Sequence, residues 1–474
     1  MNSIRSRRSF VNRNHCFNGF LGNWFQLTEN FLNSTKMVEK FTYFELQIVW
    51  PNLLADDILS VSCLVMSSHE VIRESFVEEA LRLDKGDEAQ LLSWTTEDIN
   101  KKGNNYTSFI SSVTVKYCKA TVNQEVTYVV KLKPQRENGL PSEFDNLVFN
   151  KEGLFYTELL SEINAELSAA GQKPLLLPSC YHSRWEEGQN QLFLEDLRPK
   201  GFKMYDRTKG LDVHHAILVL QELGRLHAAS HQLQAKAPKQ DLTQKFKFLT
   251  WEWFNYSERT RKEFDALITG SLTVASGLAK AIGYEKIAKW YKDVAPRAMS
   301  VVEEQIASSQ FDVVCHGDCF TNNMMFRYNE SQPVEVVLLD LQICRKSSLG
   351  TDLSYLLFSS IDEPERTGKL EEFLGQYHAS FKAVIEGGGT VMPFTLLDIT
   401  KEFHNKSVYG WIMSSLLIPI LVAQSHEIPD FTVATDGHIE DYVEQQQQIF
   451  SKMLRNNPLL KLRLANLYES MDIE

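Results

Sequence analysis

Residues 313–340 read VVCHGDCFTNNMMFRYNESQPVEVVLLD. Within this stretch His316, Asp318 and Asn323 satisfy the pattern H-x-D-x-x-x-x-N. That spacing lets one loop turn a general base and a metal-binding amide toward the same phosphate. Phosphoryl transfer asks little covalent chemistry of a protein and much positioning: a carboxylate near the attacking hydroxyl, oxygen ligands for Mg²⁺ and a cation on the phosphates. Asp318 is the candidate base. Seventeen residues after Asn323, Asp340 closes the apolar run VEVVLLD, where a carboxylate completes the oxygen set that hard Mg²⁺ prefers. Asn323 and Asp340 are the candidate metal ligands. Asp352, in TDLSYLL, is read as a structural acid that caps a helix or braces the loop.

Upstream, a lysine for the phosphates belongs on a strand, with a glutamate on the following helix to hold it. FISSVTVKYC (109–118) and VTYVVKLKP (126–134) read as two β segments joined by the polar stretch Lys119 to Gln124, a hairpin. Lys131, inside apolar YVVKL, is preferred to Lys133, which shares its face but abuts Pro134. EFDNLVFNKEGLFYTELLSEINAEL (143–167) has helical spacing and carries Glu152, with Gly153 as a weak point. Before the hairpin, SFVEEALRL (75–83) reads as an amphipathic helix; after the glutamate helix, QLFLEDL (191–197) reads as a strand ending in two acids, and RPKGF supplies turn residues. This orders the chain as an extension over 1–69, a first lobe over 70–196 and a helical lobe over 197–474.

In the helical lobe Asp212 is placed to cap a helix whose Val213, Ile217, Leu220, Gly224 and His227 form one stripe, and His227 reads as a core or hydrogen-bonded histidine. The apolar stretch Val408 to Ala423 is shorter than the roughly 20 residues a bilayer span needs and contains Ser414, Ser415 and Pro419, so it reads as a buried helix. With 474 residues and 43% hydrophobic content, the chain has enough for two or more packed lobes. Its net charge of −12 argues against nucleic acid and anionic membranes as partners. Seven scattered cysteines exclude a disulfide framework and favour a reducing, cytoplasmic setting, and Cys315 and Cys319 lack partners at zinc spacing. The start, MNSIRSRRSFVNRNHCFNGF, has four arginines and no acid before Glu29, the composition of a mitochondrial leader; alternatively Met37 opens the better-patterned part and residues 1–36 are a dispensable extension.

Together the stretches KGNNYTSFISSVTVKY, VVKLKP, FNKEGLFY, LFLEDLRPKGFKMYDRTKGLD, LGRLHAASH, VVCHGDCFTNNMMF and LLDLQICRKSSLGTDLSYLL resemble the ecdysteroid kinase-like family, also called CHK kinase-like. That family is related to choline kinases and aminoglycoside phosphotransferases. The resemblance runs over most of residues 70–380. It implies an α+β, two-lobed protein-kinase-like fold: a small antiparallel-sheet lobe and a larger, mainly helical lobe, with ATP and Mg²⁺ in the cleft. It further implies Asp318 as catalytic base, Asn323 and Asp340 on the metal, and Lys131 paired to Glu152. Backbone groups of Glu195, Asp196 and Leu197 would meet the adenine, and the loop Gly103 to Ser108, with Asn105, Tyr106 and Ser108, would cover the phosphates. That loop has one glycine where protein kinases have three, and Leu341 follows Asp340 where the family more often has Phe.

The implied activity is transfer of the ATP γ-phosphate to a hydroxyl of a small, apolar metabolite such as an ecdysteroid. A choline- or aminoglycoside-type kinase would instead need an acidic or aromatic acceptor pocket. A non-catalytic ligand-binding protein on the same scaffold would be expected to lack a base or metal ligand. Protein kinase activity is excluded on two counts: no A-P-E-like segment follows Asp340, and the motif is HGD rather than HRD.

Overall fold

The computed structural model describes residues 72–99, 109–133, 141–184, 190–363, 365–435 and 438–473. All of them belong to Ser68–Glu474, one of the two units into which the chain divides. The expected phosphate loop, with Asn105, Tyr106 and Ser108, lies outside the described residues, as does the arginine-rich start.

The first lobe is a five-stranded antiparallel sheet in the order β1-β2-β3-β5-β4. Its strands are β1 (Gln90–Asp98), β2 (Phe109–Lys119), β3 (Val122–Leu132), β4 (Cys180–Arg184) and β5 (Gln191–Glu195). The expected hairpin is β2–β3, and its turn is tighter than the polar stretch suggested. Ala120 (φ 49°) and Thr121 (φ 66°) are both left-handed, as a two-residue turn matched to strand twist requires. The helix expected near residue 75 is α1 (Glu74–Lys85); it seats Phe76, Val77, Ala80 and Leu81 against Val113, Val115 and Val130 of the sheet. β1 was not expected. It is an edge strand with no fully buried residue, so Gln90–Asp98 lacks the apolar alternation that marks a half-buried strand.

Between β3 and β4 the helix carrying Glu152 runs as α2 (Pro141–Leu154), a π turn (Phe155–Leu159) and α3 (Leu160–Ala169). The π turn starts two residues after Gly153, so the expected weak point ends the regular α geometry without ending the helix.

The second lobe is mostly helical. Asp212 caps α4 (Val213–Lys236), accepting the His215 N–H at 3.1 Å. Gly224 of α4 lets α7 (Glu365–Gly387) approach, since a Cβ there would sit 2.8 Å from the Tyr377 carbonyl oxygen. Two small sheets carry the motif residues: β7 (Asp312–Cys315) pairs with β10 (Arg345–Ser348), and β6 (Phe202–Met204), β8 (Met324–Asn329) and β9 (Gln332–Leu338) form the other. Around them pack α5 (Glu258–Ala281), α6 (Leu349–Ser360), α8 (Ser407–Val422) and α9 (Ile439–Asn456). The apolar stretch at 408–423 is α8, buried as expected, and among the described residues no helix is long and apolar enough to cross a membrane. The architecture is thus the expected α+β, two-lobed fold. The five described cysteines are free thiols.

Candidate active site

The loop after β7 is fixed from below by one buried carboxylate. Asp352, in the first turn of α6, accepts the backbone N–H of His316 at 2.6 Å and of Gly317 at 2.9 Å. His227 donates to the same carboxylate from Nε2 at 3.1 Å, while its Nδ1 accepts from the Tyr377 hydroxyl at 2.8 Å. Burial opposes ionisation of Asp352, but its hydrogen bonds from His227 and the Gly317 amide outweigh it and hold the carboxyl below its usual range. Asp352 on α6 and His227 on α4 are thus hydrogen-bonded supports of the loop. His316 donates from Nε2 to the Leu339 carbonyl at 2.9 Å, which ties the loop to the strand end bearing Asp340. Burial drives its pKa down, so it stays a neutral spacer. Gly317 has φ 86°, and a Cβ on it would lie 2.3 Å from the Ile343 carbonyl oxygen. Only glycine fits there.

Above this base Asp318 is held on both oxygens. Tyr355, one turn beyond Asp352 on α6, donates to Oδ1 at 2.7 Å, and the Asn323 amide donates to Oδ2 at 2.8 Å and to the Asp318 carbonyl at 2.9 Å. Burial pushes the Asp318 carboxyl up to about 6, with Asp340 adding to the effect and the two hydrogen bonds opposing it. A carboxylate poised so close to neutrality suits a group that accepts a proton and gives it back. Tyr355 was not among the expected residues. The signal for it was present, a tyrosine three residues after Asp352 on one helix face, but nothing in the motif demanded it.

Asp340 has φ 67°, a left-handed conformation unusual for a non-glycine residue and concentrated at functional sites. Its Oδ1 accepts from Lys131 Nζ at 2.8 Å, and Lys131 also meets Glu152 Oε2 at 2.5 Å. The strand, the helix and the strand end, separated by 21 and 209 residues from Lys131, converge on one ammonium. Burial works against its charge, but the two carboxylates prevail and keep it protonated; burial raises Glu152 against the pull of Lys131. Lys133 bonds instead to the side-chain oxygen of Asn146 on α2.

The segment after β5 uses its side chains internally. Glu195 accepts from the Ser179 N–H and hydroxyl and pairs with Lys200, and Asp196 takes Arg198 in a bidentate pair at 2.8 Å for both bonds. The Leu197 carbonyl accepts from the N–H groups of Lys200 and Phe202.

Asp318, Asn323 and Asp340 line a cavity of about 250 Å³. Its far wall comes from residues that no motif picked out, among them Phe264 and Leu267 of α5, Met413 and Leu417 of α8, and Tyr442 of α9. Among the described lining residues Asp318 and Asp340 are the sole carboxylates.

Solved structures similar to this chain include an ethanolamine kinase of Plasmodium vivax (14% identity, 79% of this chain and 88% of that one, TM-score 0.34). Others are a choline kinase of Streptococcus pneumoniae (13%, 82% and 100%, TM-score 0.35) and an aminoglycoside 2'-phosphotransferase in complex with GDP (10%, 81% and 100%, TM-score 0.37). No curated protein matches the sequence. Residues 102–387, which span the Lys131 strand, the Glu152 helix, the Asp318 loop and Asp340, match the family model of the ecdysteroid kinase-like family, and the chain belongs to that family.

Proposed function

We propose that the protein transfers the γ-phosphoryl group of ATP to a hydroxyl of a small apolar metabolite, an ecdysteroid being one candidate. The observation that carries this reading is that Asp318, held by Tyr355 and Asn323, lines a cavity to which α5, α8 and α9 contribute mainly apolar residues, among them Phe264, Leu267, Met413 and Leu417. The acceptor hydroxyl would lie beside Asp318 and give up its proton to it as the oxygen forms its bond to phosphorus and the bond to the ADP oxygen breaks. Lys131, fixed by Glu152, supplies the cation for the phosphates, and backbone groups of Glu195 to Leu197 meet the adenine, their side chains being engaged elsewhere. The donor set suits Mg²⁺: the Asn323 amide nitrogen is spent on Asp318, which leaves its carbonyl oxygen for a hard cation, and Asp340 adds a carboxylate. When bound there, the ion would neutralise charge on the phosphate oxygens.

A second reading has one observation in its favour. A groove of about 870 Å³ on α5 and α9 is lined by Glu143, Glu258, Glu263, Glu440 and Asp441 against Arg259 and Lys262, surroundings where a cationic acceptor would gather. The test is to incubate the full chain with ATP, Mg²⁺ and a panel of steroid and terpenoid alcohols, choline, ethanolamine and an aminoglycoside, and to look for a mass gain of one phosphate. Phosphorylation of the apolar alcohols, lost in Asp318→Ala, is expected. Phosphorylation of the amines alone would replace this reading with the second. No product from any of them, with an apolar ligand still bound, would point to a binding protein.

A further inference from the structure

The apolar cavity has one polar spot far from the motif residues. Ser271 on α5 and Gln446 on α9 both line it, although they are only 7% and 6% exposed. The Ser271 hydroxyl donates to Gln446 Oε1 at 2.8 Å. The two helices are pressed together at this point: a Cβ on Gly270 would lie 2.5 Å from Val443 Cγ2. A second, smaller space of about 10 Å³, room for about one water at most, is lined by Ser271, Ser415, Pro419 and Gln446.

A primary amide offers two N–H donors and two acceptor lone pairs. Ser271 occupies one lone pair of Gln446 Oε1, which leaves hydrogen-bonding capacity of the amide at the cavity surface. Leaving that capacity unmatched beside apolar walls costs free energy, and leucine or methionine would seal the same helix contact without that cost.

We propose that Ser271 and Gln446 form an oxygen-reading subsite on the α5–α9 wall of the acceptor cavity. The preferred acceptor is then an apolar molecule with two oxygen functions: a hydroxyl phosphorylated beside Asp318, and a second hydroxyl or carbonyl bound by the Gln446 amide. This inference rests on the apolar-acceptor reading above and adds the chemistry of the molecule's other end. A site built to bond a substrate oxygen discriminates strongly against the analogue that lacks it, because its own buried groups then go unpaired.

The test compares androstanediol, with a hydroxyl at each end of the steroid frame, with androstanol, which has one. For the wild-type full chain with ATP and Mg²⁺, kcat/KM should favour the diol by about tenfold or more. Gln446→Leu should bring that ratio close to one by lowering the diol value and raising that of androstanol, with the KM for ATP unchanged; Ser271→Ala should fall between. If Gln446→Leu does not fold, Gln446→Met, which keeps the length of the side chain, carries the same expectation. A folded Gln446 variant that retains the diol preference, or a wild-type protein that phosphorylates both steroids equally well, would overturn the subsite while leaving the acceptor reading intact. If neither steroid is phosphorylated and neither raises the melting temperature, the acceptor reading fails and the subsite with it.

Discussion

In the loop 316–323 the motif's polar groups have set partners: the His316 ring meets Leu339, the Asp318 carboxylate sits between Tyr355 and Asn323, and the backbone of His316 and Gly317 meets Asp352. Across the cavity, α5, α8 and α9 present Phe264, Leu267, Met413, Leu417 and Tyr442, a wall whose shape matters more than the identity of any one side chain. Hydrogen bonds to a carboxylate have fixed lengths and angles, so the loop tolerates few alternatives and repeats a readable spacing. Apolar packing asks only for volume and fit, so many sequences build the same wall and the wall is free to follow its ligand. On the proposed reading, one side of the cleft would hold the reaction and the other would choose the molecule.

That division is open to attack from the loop. Asp318→Asn keeps the shape of the side chain but removes the proton acceptor. The expected result is a fall in kcat of about 10²- to 10⁴-fold, with the KM values for both substrates nearly unchanged and the melting temperature close to that of the wild type. Steady-state kinetics with differential scanning fluorimetry measures both. Retention of more than a tenth of the activity would remove Asp318 from the chemistry and leave the loop a structural element.

What could be read in the sequence follows the same line. The His316 to Asn323 spacing, Asp340, Lys131 and Glu152 are legible in the sequence because directional hydrogen bonds and ion pairs ask for set residue types at set places. The edge strand β1 was missed because an exposed strand has no buried face to imprint on its sequence. The left-handed turn at Ala120 and Thr121 was missed because neither residue is a glycine or asparagine, so the usual sign of such a turn was absent. The cavity wall was out of reach for another reason: Leu267, Leu417 and Tyr442 belong to helices far apart in the chain, and each helix has apolar residues enough for its own packing. Which of them faces the cleft is decided by how the helices dock.

Tyr355 sits on the boundary between the two kinds of contact. Its hydroxyl bonds Asp318, while its ring stacks on Phe320, a residue that also lines the cavity. Tyr355→Phe keeps the ring and deletes one hydrogen bond to a charged group, worth about 1.5–3 kcal/mol, so kcat should fall roughly 10- to 100-fold. The bond lowers the Asp318 pKa, so its removal raises that pKa further, and the acid limb of the kcat profile should move to higher pH. A pH–rate profile separates this from mere loosening of the ring. A drop in kcat with no movement of the limb would mean that Tyr355 holds the cavity wall and does not tune the base.

The smallest effect should come from the wall itself. Leu417 is half-buried on α8 and lines the cavity, so Leu417→Ala removes apolar surface from the acceptor's side without touching a group that bonds Asp318, Asn323 or Asp340. Leu417→Ala removes three carbons, and although a single methylene in a closed apolar pocket changes discrimination by about 10- to 200-fold, a half-buried position at a wall belongs at the lower end. The KM of a bulky apolar alcohol should therefore rise up to about tenfold, with the KM for ATP and kcat at saturation nearly unchanged. The asymmetry carries the argument, more than the size of the change. If Leu417→Ala raises the KM for ATP as much as that for the alcohol, the wall and the loop are one mechanical unit, and selection of the acceptor is not separable from the chemistry. If only the alcohol responds, the same loop can serve different acceptors whenever α5, α8 and α9 are redrawn.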